Sequence, residues 1–273
     1  MTSRGRDRVA DVRSVVVAHM PGCRIESVAL LGEGLDNLVY EVNGELIVRF
    51  GKDPDLARRA TLVDHEARVL AAVSDISPLP VPQPAFTVAE QGCLAYRKLF
   101  GTPLLDMPPH QRSAHGTSIA ATLGELLTAL HAVPVDRLTD LVDEDHRPMA
   151  ECRHEATENY VRVAGRVPTA HRPSVEAFLA AAPPPDGYTP AFSHNDLGIE
   201  HVLVDPVSWT VTGIIDWSDA AVVDPADDLA ALSERAVFHG RCSVFEDLAF
   251  GMETEQRTYV DKSLAAMEWL FPP

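Results

Sequence analysis

Apolar and polar residues alternate through RIESVALLGEGLDNLVYEVNGELIVRF, residues 24–50, whereas the segments on either side carry apolar residues every three or four positions. Alternation places successive side chains on opposite faces of a strand, and the wider spacing builds one face of a helix. Asn43-Gly44 interrupts the alternation, a dipeptide that favours the left-handed backbone of a two-residue hairpin. Leu38–Val42 and Glu45–Phe50 are therefore expected to pair antiparallel, with LLGEGLDN as the connection before them. Residues 6 to about 20 have near-helical spacing. DLARRATLVDHEARVLAAV returns to it, with Leu62, Glu66, Val69, Leu70 and Val73 near one face, until Pro78, Pro80, Pro82 and Pro84 end the helix. A second hairpin is expected in AFTVAEQGCLAYRKL around Gln91-Gly92, and Gly101 and Pro103 mark a loop.

Beyond that loop the pattern is mainly helical. Ile119, Leu123, Leu126, Leu127 and Leu130 mark an amphipathic core helix, broken helical patterns run to APPPDG, and LAFGMETEQRTYVDKSLAAMEWLF forms a terminal helix or pair. The whole reads as an α+β chain. A small N-terminal antiparallel β lobe with one helix occupies residues 1–100, a larger and mainly helical C-terminal lobe occupies 101–273, and RKLFGTP joins them.

A composition of 46% hydrophobic and 23% charged residues is that of a folded chain with a sizeable core. Forty acids against 23 bases give a net charge of −17, which excludes a nucleic-acid partner, since phosphate-backbone binding rests on clustered Lys and Arg. The acids serve solubility, and an acid-lined cleft would also speed capture of cationic ligands by roughly 10- to 1,000-fold. Cys23, Cys93, Cys152 and Cys242 are too scattered for a zinc site and read as thiols in a reducing compartment. The first 20 residues are too charged for a secretory signal, and no run of about 18 apolar residues occurs, so a cytoplasmic protein without a membrane partner is expected, as monomer or homodimer.

Three segments carry candidate chemistry. In LLGEGLDN, Gly32 and Gly34 with Asn37 form a glycine-rich loop whose amides can approach phosphate oxygens, although a plain turn is the commoner use of such a segment. Arg49 closes the strand LIVR, where a nucleotide-dependent kinase keeps a cation for the phosphates, and Glu66 lies on the next helix, placed to aim it. In isolation the pair reads as a surface salt bridge. Lys52 lies past the strand and is the weaker substitute. Third, SHNDLGIEHVLVD sets Asp196 five residues before His201 and runs into a strand, and VTGIIDWSDAAVVDP ends the following strand at Asp216. Phosphoryl transfer needs a carboxylate to take the acceptor hydroxyl's proton and oxygen-rich ligands to hold magnesium against the phosphates, and this spacing supplies both.

SHNDLGIEHVLVD together with GIIDWSDAAVVDPADDLA and the GELLTALHAVP helix resembles the antibiotic phosphotransferases, the aminoglycoside and macrolide enzymes of protein-kinase-like fold. The resemblance implies that Asp196 is the catalytic base, His201 and Asp216 are magnesium ligands, and His194 anchors the catalytic loop. It implies GTP or ATP as co-substrate, with Gly32, Gly34, Arg49 and Glu66 at the phosphates. AYRKLFG resembles the family's hinge, so that Tyr96 stands at the back of the base pocket, favouring GTP, and the Leu99 backbone meets the base. Two positions depart from the kinase pattern: His201 stands where Asn is usual, and Arg49 replaces Lys. The acceptor expected is a cationic antibiotic, an aminoglycoside or basic peptide, bound by acids such as Glu200, Asp219 and Asp228, with Asp228 also placed to brace the loop. Macrolide phosphorylation, a metabolic small-molecule kinase, and a catalytically silent binding scaffold are the alternatives.

Overall fold

Asn43 and Gly44 both take left-handed backbone, at φ 56° and 73°, and the chain reverses there. The structure, a computed structural model, describes residues 8–34, 36–138, 140–228 and 234–272. Leu35 of the glycine-rich segment and the residues 229–230 that close DPADDLA lie outside the described residues. Contacts divide the chain into two units: Met1–Thr102 with Thr117–Thr122 and His201–Ser218, and Pro103–Gly116 with Leu123–Glu200 and Asp219–Pro273.

In the first unit β1 (Val28–Glu33), β2 (Asn37–Val42), β3 (Leu46–Gly51), β4 (Pro84–Val88) and β5 (Cys93–Arg97) form an antiparallel sheet in the order β1-β2-β3-β5-β4. The central strand β3 has Val42 opposite its Leu46 and Ala95 opposite its Val48. One face buries Tyr40, Val42, Val48 and Phe50 against Val12, Val15 and Val16 of the helix α1 (Val9–His19). Period-two alternation then sends Arg49 to the opposite face. On that side of the sequence pattern lies α2 (Leu56–Ile76), whose start is capped by the Asp55 carboxylate accepting the Ala57 and Arg58 amides. The unit is completed by the hairpin of β8 (Val202–Val204) and β9 (Val211–Ile214), beside the short strand β6 (Thr102–Pro103).

The second unit holds the helices α4 (Met149–Val163), α5 (Arg172–Ala180), α6 (Glu234–Glu253) and α7 (Arg257–Leu270), and all of α3 (Pro109–His131) except Thr117–Thr122. Its core is built from Met149, Cys152 and Ala156 of α4, Phe238, Phe245 and Leu248 of α6, and Met267 and Leu270 of α7. The Phe245 ring meets Tyr160 and Phe271, each at 5.5 Å. Two three-residue strands, β7 (Ala191–Ser193) and β10 (Ala221–Val223), pair with Ser193 opposite Ala221, which brings the start of HNDLGIEH beside the turn that follows Asp216. The four cysteines are free, with Cys93, Cys152 and Cys242 buried. Among the described residues no helix is long and apolar enough to cross a membrane.

Gly101 shows how tightly the β8–β9 hairpin is seated. Its φ is 124°, and a Cβ there would stand 2.3 Å from Thr212 Oγ1 and 3.0 Å from the Val204 carbonyl. Gly101→Ala is therefore expected to cost about 2–3 kcal/mol and to lower Tm by roughly 4–12 °C. An unchanged Tm would contradict this packing.

Candidate active site

The backbone that carries Asp196 is fixed at successive amides. Asp228, its side chain 1% exposed, accepts the His194 N–H on Oδ2 and the Asn195 N–H on Oδ1, both at 2.9 Å. His194 is fully buried, and its Nδ1 accepts the Asp196 N–H at 3.3 Å. Asn195 sits at φ 65°, left-handed backbone that Asn tolerates better than most non-glycine residues, and its Nδ2 donates to the Asp219 carbonyl at 3.1 Å. The loop then turns through a Gly198 N–H to Asp196 carbonyl bond, and the Ile199 carbonyl is taken by the Leu105 N–H.

His201 and Asp216 come together in the first unit. The Ile215 N–H donates to the His201 carbonyl across the hairpin, and two residues past β9 Asp216 adopts φ 64°. Trp217 anchors that turn, fully buried, with its indole N–H on the Ile214 carbonyl. His201 Nε2 lies 3.6 Å from Asp216 Oδ2, while Asp216 Oδ1 faces Arg49 Nη2 at 3.8 Å and accepts the Ser218 hydroxyl at 3.1 Å.

Arg49 and Glu66 are not a surface pair. Their side chains are 9% and 13% exposed, and Nη1 reaches Oε1 at 2.5 Å. The Tyr96 hydroxyl, buried on β5, hydrogen-bonds the same guanidinium. Burial works against the Arg49 charge, but Glu66, Tyr96 and Asp216 outweigh it and lock the group as a cation. Burial in turn holds the Tyr96 phenol above its ordinary range.

Gly32 lies at a register shift of β1 against β2, and the Gly34 N–H meets the Asn37 carbonyl. Lys52 clamps this turn, its Nζ donating to the Gly34 carbonyl at 2.8 Å and facing Glu33 at 3.3 Å. Lys52 lies past the strand in sequence, yet the Gly51-Lys52 step brings it alongside the turn. Leu99 packs on Gly213, in the segment between β5 and β6.

Two of the three acids expected at the acceptor are committed elsewhere. Asp228 is the buried brace of the loop, and Glu200 is 11% exposed and ion-paired with Lys262 at 2.5 Å. Neither faces solvent, and a buried carboxylate needs the partner it already has. Asp219 is exposed. Two small polar pockets lie elsewhere in the second unit. One of about 20 Å³, room for about one water, starts at Asn195 and is lined by Asp145, Arg147, Cys152, Tyr188, Val223, Asp224, Asp227 and His239. A neighbour of about 40 Å³ shares Arg147, Cys152, Asp227 and His239 and adds Glu155, Asn159, Ser243 and Glu246. Asp224 of DPADD is legible in the sequence as an acid near the catalytic loop, but its partners Arg235 and His239, at helical spacing further on, are not.

Among the described residues no three His, Cys, Asp or Glu side chains converge as a metal cage. Magnesium bound with a nucleotide takes only one or two protein ligands beside phosphates and water, at 2.0–2.1 Å each. Adjacent octahedral ligands of such an ion stand about 2.9 Å apart and opposite ones about 4.2 Å, so His201 and Asp216, at 3.6 Å, would have to close by several tenths of an ångström to share one ion, with Asp216 the oxygen donor magnesium prefers.

A family profile described as "Phosphotransferase enzyme family" matches residues 27–259. The chain is 40% identical over 63 residues to viomycin phosphotransferase of Streptomyces vinaceus, 22% of each protein. It is 48% identical over 46 residues to the uncharacterized protein YcbJ of Bacillus subtilis (strain 168), 16% of this chain and 15% of that protein. These matches span less than a quarter of either relative. Solved structures cover nearly the whole chain. The GDP complex of wild-type aminoglycoside 2'-phosphotransferase-IIIa is 22% identical with a TM-score of 0.65, over 96% of this chain and 97% of that one. The apoenzyme of macrolide 2'-phosphotransferase MphH from Brachybacterium faecium is 23% identical with a TM-score of 0.59, over 98% and 99%. The streptomycin-ATP-APH(2")-IIa ternary complex is 15% identical with a TM-score of 0.56, over 94% and 95%. At these identities the likeness is one of fold, mixed α and β and kinase-like.

The cavity wall also makes stability depend on pH. His239 places Nδ1 3.0 Å from Asp227 and Nε2 3.2 Å from Asp224, and both nitrogens donate only as imidazolium. Burial opposes that charge, but Asp227 and Asp224 raise the imidazole above its ordinary 6.5. Burial likewise opposes the Asp224 charge, and bonds from Arg235, the Ala226 amide and His239 hold that carboxyl below its ordinary 3.8. The Asp224 contribution is thus present above 3.8 and lost as pH falls through its lower folded value. The His239 contribution is complete below 6.5 and is lost as pH rises through its higher one. Tm should fall on the alkaline side of pH 6.5, and His239→Gln should flatten that slope; an unaltered slope would contradict the assignment.

Proposed function

The chain belongs to the phosphotransferase enzyme family, and from that premise we propose that it moves the γ-phosphoryl group of GTP or ATP to a hydroxyl of a cationic antibiotic, an aminoglycoside or a basic peptide. The observation that carries the acceptor class is the similarity to a viomycin phosphotransferase, 40% identical over 63 residues. Exposed acids of the second unit, Asp219 among them, suit protonated amines; a large apolar macrolide body would need exposed Leu, Met and Phe instead.

Residues 1–100 bind the nucleotide in this reading, and 101–273 supply the catalytic loop and the acceptor site. The acceptor oxygen forms its bond to the γ-phosphorus as the bond to the β,γ-bridging oxygen breaks, releasing the nucleoside diphosphate, and the hydroxyl proton passes to the Asp196 carboxylate. Arg49, kept charged by Glu66 on its Nη1, faces the phosphates with the Nη2 edge that lies near Asp216, and the Gly32–Gly34 turn, closed by the Gly34 N–H on the Asn37 carbonyl, covers them. Tyr96 closes the back of the base pocket and the Leu99 backbone meets the base. Asp216 and His201 would hold a magnesium ion, which would supply charge neutralisation on the phosphate oxygens. Of the three acids expected at the acceptor, Asp219 remains.

The test is GTP- and ATP-dependent phosphorylation of aminoglycosides, basic peptide antibiotics including viomycin, and macrolides, read as one added phosphate by mass. Transfer to a polycation is expected; transfer confined to macrolides, or nucleotide bound without any transfer, would contradict the reading. Asp216→Asn should weaken magnesium-dependent nucleotide binding by about tenfold or more, and an unchanged magnesium requirement would remove Asp216 from the metal.

A further inference from the structure

Asp228 holds the loop from the side that precedes Asp196. The side that follows it is held differently, through Glu200. The Glu200 carboxylate folds back onto Gly198, where a Cβ would stand 2.6–2.8 Å from the carboxyl carbon and both its oxygens. Glycine lets the acid lie directly on the loop backbone, and it also leaves the chain conformationally free at that point. Lys262 of α7 gives Nζ to Glu200 Oε1 at 2.5 Å, reaches Asp247 of α6 at 3.1 Å, and sits 4.7 Å over the Tyr259 ring. The side chains of Lys262 and Glu200 are 12% and 11% exposed, and Glu200 Oε2, buried, has no hydrogen-bond partner. Glu200 therefore depends on Lys262 for its neutralisation, and removing one member strands the other as a buried charge.

We propose that Glu200 and Lys262 are positioning residues for phosphoryl transfer, an ionic strap from α6 and α7 that fixes the Gly198–Glu200 end of the loop and with it the placement of Asp196. The proposal rests on Asp196 as the base. Without the strap the end after Asp196 is left to two backbone bonds, Gly198 N–H to the Asp196 carbonyl and Leu105 N–H to the Ile199 carbonyl, and a misplacement of about 1 Å at a reacting group costs on the order of 100-fold in rate.

The experiment compares full-length wild type with Lys262→Met, Glu200→Gln and Lys262→Arg by hydrogen–deuterium exchange of the loop amides 196–201, beside kcat and nucleotide KM on an acceptor that takes phosphate. In Lys262→Met the loop amides should exchange about tenfold or more faster while α4 and α5 keep their protection. kcat should fall about 10- to 100-fold with nucleotide KM within about twofold, and Lys262→Arg should retain most of both. Loop exchange at the wild-type rate in folded Lys262→Met overturns the strap, and faster exchange with unchanged kcat overturns its positioning role. If Lys262→Met does not fold, Glu200→Gln, of the same size, carries the comparison under the same criteria. An Asp196 that is not the base shows separately, as transfer that survives Asp196→Ala, because the exchange comparison needs no turnover.

Discussion

Both oxygens of the Asp228 carboxylate accept backbone amides at 2.9 Å, from His194 and Asn195, with the side chain almost wholly removed from water. An ionised carboxylate without partners would be costly in that setting, and with them it becomes a fixed template for the backbone it holds. Asn195 can stay in left-handed backbone because of that template and its own bond to the Asp219 carbonyl. The position of Asp196 follows from the residue before it. The β7–β10 pair supplies the frame, since Ser193 opposite Ala221 brings the loop and the Asp219 turn to one edge.

In the first unit the corresponding constraint is alternation. With Val48 and Phe50 committed to the α1 face, Arg49 has to point the other way, where Glu66 and the Tyr96 hydroxyl receive it. A buried guanidinium shared among Glu66, Tyr96 and Asp216 is a cation that stays charged at any working pH. In the proposed nucleotide site that fixed charge would let Arg49 serve where Lys is usual.

Local features were legible in the sequence. Asn43-Gly44 marks its hairpin because few dipeptides tolerate two left-handed residues in a row, and the α2 and α3 helices show their spacing within single segments. The loop was legible too, because Asp196, His201 and Asp216 keep their spacing within a short stretch of chain. Long-range pairings were not. Nothing near Glu200 in sequence announces Lys262, 62 positions on, and so an acid that is paired inside the unit looked available to a ligand. The burial of Arg49 and Glu66, and with it the failure of the surface salt-bridge reading, likewise depends on packing that propensity does not carry. Strands of three residues, β7 and β10, are too short to show a period.

In the proposed mechanism this braced loop holds a proton-accepting carboxylate at residue 196, which single-turnover transfer by Asp196→Asn, with nucleotide affinity measured on the same preparation, puts to the test. A rate about 100- to 10,000-fold below wild type with nucleotide affinity nearly unchanged is expected. Transfer at close to the wild-type rate would contradict it.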